Sequence, residues 1–368
     1  MIHAAPVERL VNLLDPDGNT ILNMTVAEAV ARLASGRPEA VREIDGHFAL
    51  VHREGRTVRM ARSLGRPLRY FIAKKAAGPV LVTADRIDAI AAFLAAEGLA
   101  DQFHPSYTRM VPAHHVMELA LVGCPDPNPV CTRFFTPERN RWSTDLDDIG
   151  RRYVAAVVQA LSAWLDGEAI EVDREAIDLA AAVRTIEDYK PLDVQAAAAT
   201  LALCRGIRGR YPHWRHLVDG DGGDENLKDY PIEENPELTI RSVLNNLMLY
   251  QEGWGIDAIK HSLTYSGGQS RGHVRTYAPA ATLGFRCFSP YAVPNVIEVA
   301  EGIPFVELTG WDHERLYALK GEVMRRGIRA ITGLELPLFP KRRFQAGIAA
   351  ADTVVGREGP RAGSFMRY

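Results

Sequence analysis

Val218-Asp219-Gly220-Asp221-Gly222-Gly223-Asp224-Glu225 places three glycines and four carboxylates within eight residues. Glycines at this density let the backbone turn where a Cβ would forbid it and approach a ligand closely. The interleaved carboxylates are hard oxygen donors of the kind Mg²⁺ uses together with substrate phosphates. His216-Leu217-Val218 leads in with apolar character, and a strand end opening into such a loop is where open α/β sheets bind ligands. A solvated acidic turn has the same composition, because Gly and Asp are also turn formers. A calcium loop of the EF-hand type is excluded by Asp224 in the sixth position, which that loop reserves for glycine.

In register, Asp219 to Glu225 resembles the Ser-Gly-Glu-Gly-x-Asp-Glu motif that ends a strand in the asparagine synthetase family. The rest of the chain extends the resemblance. With 368 residues the chain suggests two domains, perhaps a third, and 47% hydrophobic and 24% charged residues are ordinary for a soluble globular protein. A net charge of −3 gives no reason to expect nucleic acid as a partner. The four cysteines lack zinc-finger spacing and read as reduced thiols. Neither a leader peptide nor an apolar run of membrane-spanning length is evident. A cytoplasmic protein without membrane contact is the expectation.

Thr25 caps a helix over residues 26–34. Strand-like runs follow at 47–51, 57–61, 68–72 and 80–83, at the spacing of antiparallel hairpins. A helix over 88–96 and a further β pair, 115–121 with 131–135, complete residues 1–143. This part resembles the family's N-terminal glutamine-hydrolysing domain in Asp45-Gly46-His47-Phe48-Ala49-Leu50, in Arg62-Ser63-Leu64-Gly65-Arg66-Pro67-Leu68-Arg69-Tyr70 and in Pro112-Ala113-His114-His115. The implied fold is an antiparallel, Ntn-hydrolase-like domain, but a degenerate one. The family's nucleophile is a cysteine directly after the initiator methionine; here that position is Ile2, and no cysteine precedes Cys124. The β-lactam synthetase branch has likewise lost glutamine hydrolysis. His114 and His115 are expected to be structural.

Residues 144–368 resemble the synthetase domain, implying a parallel-sheet, ATP-pyrophosphatase-like α/β fold. A helix spans 146–165. The family then has a Ser-Gly-Gly-x-Asp-Ser phosphate loop, whereas Leu165-Asp166-Gly167 passes directly to Glu168-Ala169-Ile170-Glu171-Val172-Asp173. A true deletion would strip a parallel sheet of a central strand and its helix, exposing edges and apolar faces. The intact apolar pattern on either side favours a segment left out of the written sequence. Ser266-Gly267-Gly268-Gln269-Ser270 imitates the loop but has Gln where Asp is required and no buried strand before it. Helices are expected at 176–183, 194–208, 238–250, 293–301 and 311–326.

Tyr277 to Tyr291 resembles another family segment, aligned on Gly284, Pro290 and Tyr291, which puts Arg286 where the family has Glu. That Glu belongs to the general-base dyad of β-lactam synthetases, whose Tyr falls at Asp221, so closure of a β-lactam by that dyad is not expected. Arg286 would serve either as a carboxylate fork for substrate or as an ion-pair partner of an acidic loop residue. Pro340-Lys341-Arg342-Arg343-Phe344-Gln345-Ala346-Gly347 matches the family's Lys-x-x-Phe-x-x-Gly.

The resemblance implies a ligase that uses ATP and Mg²⁺ to adenylate a carboxylate and pass it to an amine. In that scheme Asp224 holds Mg²⁺ supported by Glu225, Asp221 contacts ligand or acts as base, and Gly220, Gly222, Gly223 and Arg286 line the nucleotide site. Lys341 stabilises the phosphorus centre and pyrophosphate. The substrates would be a small-molecule or peptide carboxylate and an amine or free ammonia. Between a homodimer and a complex with a partner protein, which could supply ammonia, the sequence does not choose. The competing expectation is an inactive scaffold or binding subunit of the same ancestry.

Overall fold

The computed structural model describes residues 9–74, 79–121, 129–161, 178–187, 191–229, 232, 239–245 and 268–335. It contains helices and several sheets, both antiparallel and parallel. The chain divides into two compact units, residues 1–136 with 247–270 and residues 137–246 with 271–368. Among the described residues no helix is long and apolar enough to cross a membrane.

The first unit opens with β1 (Arg9–Asn12) and β2 (Thr20–Ile21). Helix α1 (Val26–Ala34) follows, closed at its start by a capping box in which Thr25 accepts from the Glu28 N–H while the Glu28 carboxylate accepts from the Thr25 N–H. Next come α2 (Pro38–Arg42), β3 (Gly46–His47), β4 (Ala49–Glu54), β5 (Thr57–Arg62), β6 (Arg69–Ala73), β7 (Val80–Ala84) and α3 (Ile87–Ala96). The last strands are β8 (Arg109–Met110), β9 (His115–Ala120) and β10 (Val130–Arg133).

They form two four-stranded sheets, β1-β7-β6-β8 and β10-β9-β5-β4, beside a short β2–β3 pair. The hairpins β4–β5 and β6–β7 are antiparallel, as their spacing predicts. Long-range pairing differs from a simple meander: β5 continues to β9, and β1 joins β7 in parallel. Alternation along β5 explains the layers. Val58 and Met60 pack with Leu81, Met117 and Leu119 between the sheets, while Ala61 packs outward with Ala29 and Leu33 of α1. Helix α3 covers the other outer face through Ile90 and Leu94 against Val80 and Val82. Helix, sheet, sheet and helix therefore stack as four layers. Because β7 is covered on both sides, all five of its residues are buried.

The buried Arg62 guanidinium donates to the carbonyls of Val111, Ser63, Leu64 and Arg66. His114 is 1% exposed, adopts φ 60° and sits edge-on to Phe134 and Phe135. Burial pushes its pKa well down, and that of His115 down to about 4, so both rings are neutral.

In the second unit α4 (Leu146–Leu161) packs on the last long helix, α12 (His313–Thr332), with the backbones of Gly150 and Gly327 in direct contact. A Cβ on Gly327 would meet the Gly150 carbonyl at 2.2 Å. Between them in the chain lie α5 (Leu179–Ile186), α6 (Pro191–Arg210), β11 (His216–Val218), α7 (Gly223–Asn226) and α8 (Ile240–Asn245). After these come α9 (Gly268–Thr282), β12 (Arg286–Phe288), α10 (Pro294–Glu301) and α11 (Phe305–Thr309). The helix expected over 311–326 is displaced: Asp312 caps it at His313, and Gly333, at φ 73°, ends it after Thr332.

Strands β11 and β12 pair in parallel, His216 opposite Arg286 and Val218 opposite Phe288. They are the parallel strands of this unit among the described residues. The segment 162–177, with the expected strand at 168–173, and residues 341–347 lie outside the described residues, as do 266 and 267. Gly268 to Ser270, the rest of the imitation phosphate loop, begin α9.

Candidate functional site

The acidic loop leaves the C-terminal end of β11 as the sequence predicts. The Asp219 N–H donates to the Phe288 carbonyl, which extends the strand pairing into the loop. Asp219 then accepts from the Asp221 N–H at 3.0 Å, a local turn of the kind Asp side chains favour. Gly222 adopts φ 96°, which a side chain tolerates poorly, and this conformation launches α7. The Gly223 N–H turns back onto the Gly220 carbonyl at 3.3 Å, so these two glycines close the turn on each other. The Gly223 backbone also lies under the Tyr291 ring.

Four carboxylates at such spacing repel one another, and the surrounding groups decide which stay charged. Asp219 accepts a hydrogen bond from the Cys287 thiol at 2.8 Å. Burial raises the Asp219 pKa, and it pushes the Cys287 thiol up strongly with the Asp219 charge adding to the effect. Asp221 is raised to about 7, first by burial and then by the charge of Asp219. Against that, Thr276 Oγ1 of α9 donates to Asp221 Oδ2 at 2.6 Å. The Ser289 hydroxyl donates to the Asp221 carbonyl and fixes the backbone beneath it. Burial raises Glu225 as well, with the charges of Asp224 and Asp221 adding. These side chains are half-buried: protein crowds their carboxyl groups while they still reach solvent.

Asp224 is differently placed. Its carboxylate is paired with the Lys320 ammonium of α12, which also reaches Asp229 at 2.7 Å. Among the described residues no group of three or more His, Cys, Asp and Glu side chains converges on a metal position. Lys320 is seated on Asp224, so an ammonium lies against the carboxylate that the resemblance gives to Mg²⁺. Lys341, the expected partner of Asp224, lies outside the described residues.

Arg286 does not join the loop. It stands opposite His216 at the start of the strand pair, exposed, whereas the loop leaves the far end after Val218. In parallel pairing the residue of β12 nearest the loop is Phe288, two positions on, so Arg286 is not the ion-pair partner of an acidic loop residue. The structure thus brings Asp221, Glu225, Gly220, Gly222, Gly223 and Asp224 together and leaves Arg286 apart.

Beneath the loop a buried ion pair anchors the chain. Lys228, at φ 57° and 0% exposed, donates to Glu301 of α10, and Arg139 reaches the other Glu301 oxygen at 3.1 Å. Asn226 donates to the Tyr291 carbonyl at 3.0 Å, and Tyr153 stacks on Tyr291.

Sequence reasoning passes over Lys320, Thr276, Cys287 and Ser289. Lys320 carried a signal: Leu316, Leu319 and Val323 are buried, and Lys320 falls on their stripe at helical spacing, where a cation needs a partner. Thr276 had none, since its role depends on α9 reaching the loop. Comparison with protein-family models and with curated proteins finds no match for this chain.

Proposed function

We propose that this protein is an asparagine-synthetase-like ligase, joining a carboxylate activated by ATP as an acyl-adenylate to an amine, with release of AMP and pyrophosphate. Asp221 carries the reading. An amine attacks only after losing a proton, and a base is most effective when its pKa lies near the working pH. Asp221, held at about 7 by burial and by Asp219, meets that requirement at the end of a parallel strand, where α/β folds present their chemistry. Thr276 holds one Asp221 oxygen, leaving the other to take the proton from the amine. Lys320 supplies positive charge beside the loop, and Lys341 is proposed as a second cation for the leaving pyrophosphate. No step is assigned to a metal.

The four layers of the first unit support an Ntn-hydrolase-like ancestry for it, and β11–β12 supports an ATP-pyrophosphatase-like ancestry for the second. With Ile2 in the nucleophile position, the nitrogen would come from ammonia or a bound amine, in the cytoplasm, without nucleic acid or membrane. A second reading, a binding subunit of the same ancestry, is favoured by Lys320 on Asp224, the carboxylate that the resemblance gives to Mg²⁺.

The test is substrate-dependent pyrophosphate release and ATP–pyrophosphate exchange across a panel of carboxylates and amines. Asp221→Asn should lower amide formation by about 10²–10⁴-fold while exchange persists, because the base acts after adenylation. Absence of both release and ATP binding in the wild type would leave the binding-subunit reading.

A further inference from the structure

At the other end of the strand pair from the acidic loop, Arg208, Pro212, His213, Arg215, Gly284 and Arg286 line a cavity of about 410 Å³. Among the described residues its wall has three guanidinium groups and no acidic side chain. Arg208 is a built part of the fold. Its guanidinium lies 3.8 Å over the Phe285 ring, Nε donates to the Leu283 carbonyl, and Nη1 donates to the carbonyls of Pro212 and Trp214. These bonds leave Nη2 beside Gly284, where a Cβ would stand 3.7 Å from it. Arg215 and Arg286 are brought side by side by the backbone: the Arg286 N–H donates to the Arg215 carbonyl at 2.7 Å. Among the described residues neither side chain has an ion-pair partner. Their charges also lower the pKa of His216 next to them, after burial as the first cause.

Among the described residues the three permanent cations have no counter-charge, an arrangement that is unfavourable unless something negative completes the set. Guanidinium forks match phosphate oxygens in a bidentate way, and a single carboxylate neutralises only one of the three. The space exceeds a bare phosphate and lies in the range of small-molecule sites. We infer that this cavity is a binding site for a multiply charged phosphate compound, a diphosphate or a phosphomonoester, read by Arg208, Arg215 and Arg286. The strand residues between Arg286 and Phe288 put it about 7 Å or more from the acidic loop. It needs no ligase activity, so it stands or falls separately from the proposed reaction.

The experiment is titration calorimetry of the full chain, at low salt, with inorganic pyrophosphate and with adenosine monophosphate as probes. Saturable binding of either is expected, weakened about tenfold or more in Arg215→Ala and in Arg286→Ala, and partly retained in Arg286→Lys. Binding of pyrophosphate alone would assign the site to a free oxyanion, and binding of the nucleotide as well would assign it to a phosphate carried on a larger body. Acetate at matched ionic strength should not compete. The inference is overturned by no saturable binding of either probe, by equal affinity in the wild type and both Arg→Ala variants, or by binding lost only in Lys320→Ala, which would move the anion to the acidic loop. A circular dichroism melt of each variant separates lost binding from lost fold, and Arg286→Lys preserves the charge if Arg286→Ala does not fold.

Discussion

Replacing Glu301 by Gln removes one charge from the pair beneath the acidic loop while keeping the shape of the side chain. Lys228 and Glu301 are 0% and 2% exposed, so the ammonium left behind is shut off from water and has lost its largest counter-charge, with the charge of Glu225 acting on it more weakly. Stranding one member of a buried pair costs about 3–5 kcal/mol. The cost has a ceiling, because Lys228 can shed its proton instead; from an unfolded pKa of about 10.4, that takes about 4.6 kcal/mol at pH 7. Lys228→Met should cost less, about 1–3 kcal/mol, because Arg139 stays on Glu301 at 3.1 Å. The double change Lys228→Met with Glu301→Leu should return to within about 1 kcal/mol of the wild type.

Urea unfolding followed by tryptophan fluorescence measures this directly. With a slope of about 2–3 kcal/mol per molar, Glu301→Gln should move the midpoint down by about 1–2.5 M. The pH dependence is the sharper readout. Burial already lowers the Lys228 pKa, and loss of Glu301 removes the largest opposing influence. In the variant the folded state releases the proton at lower pH than the unfolded chain, which keeps it up to about pH 10.4, so stability rises with pH, by at most about 2.7 kcal/mol between pH 7 and 9. A deficit below about 0.5 kcal/mol, or one constant across that range, would refute the reasoning.

The Asp221 carboxyl, raised to about 7, should give amide formation an acidic limb that falls below neutral pH, measured as product formed across pH 5–9. The same shift makes the folded wild type hold a proton that the unfolded chain has lost. Asp221→Asn should therefore nearly equal the wild type near pH 4 and exceed it by on the order of 4 kcal/mol at pH 8, by denaturant unfolding. Gly222→Ala should cost about 1–2 kcal/mol for its positive φ. Gly223→Ala, whose Cβ would meet Tyr291 at an ordinary 3.6 Å, should stay within about 0.5 kcal/mol on the same measurement. Lys320→Ala leaves the buried Asp229 without its cation and should lower stability by about 1–3 kcal/mol. Without nucleotide, Mg²⁺ should leave the wild-type melting temperature unchanged, since Lys320 already holds Asp224.

Most of the first unit was legible because its signals are local, although β1, β2, α2 and β8 were not expected. Thr25 and Glu28 cap α1 within four residues, and apolar alternation with turn residues between runs sets β4–β5 and β6–β7. Which strands meet across the chain, β5 with β9 and β1 with β7, was not legible, because any strand with a matching apolar face satisfies the same pattern.

In the acidic loop, Gly222 and the four carboxylates announce a turn and a concentration of negative charge from sequence alone. Their protonation does not follow from their identity. Asp221 sits at about 7 because Asp219, Thr276 and the enclosing protein act on it together, and Thr276 arrives from 55 residues away. Lys320 reaches Asp224 across 96 residues and pairs an ammonium with the carboxylate expected to hold a metal. Local propensity fixes where the chain turns and which face is apolar. Field and desolvation depend on every charge within a few ångströms, and only the folded chain decides which charges those are.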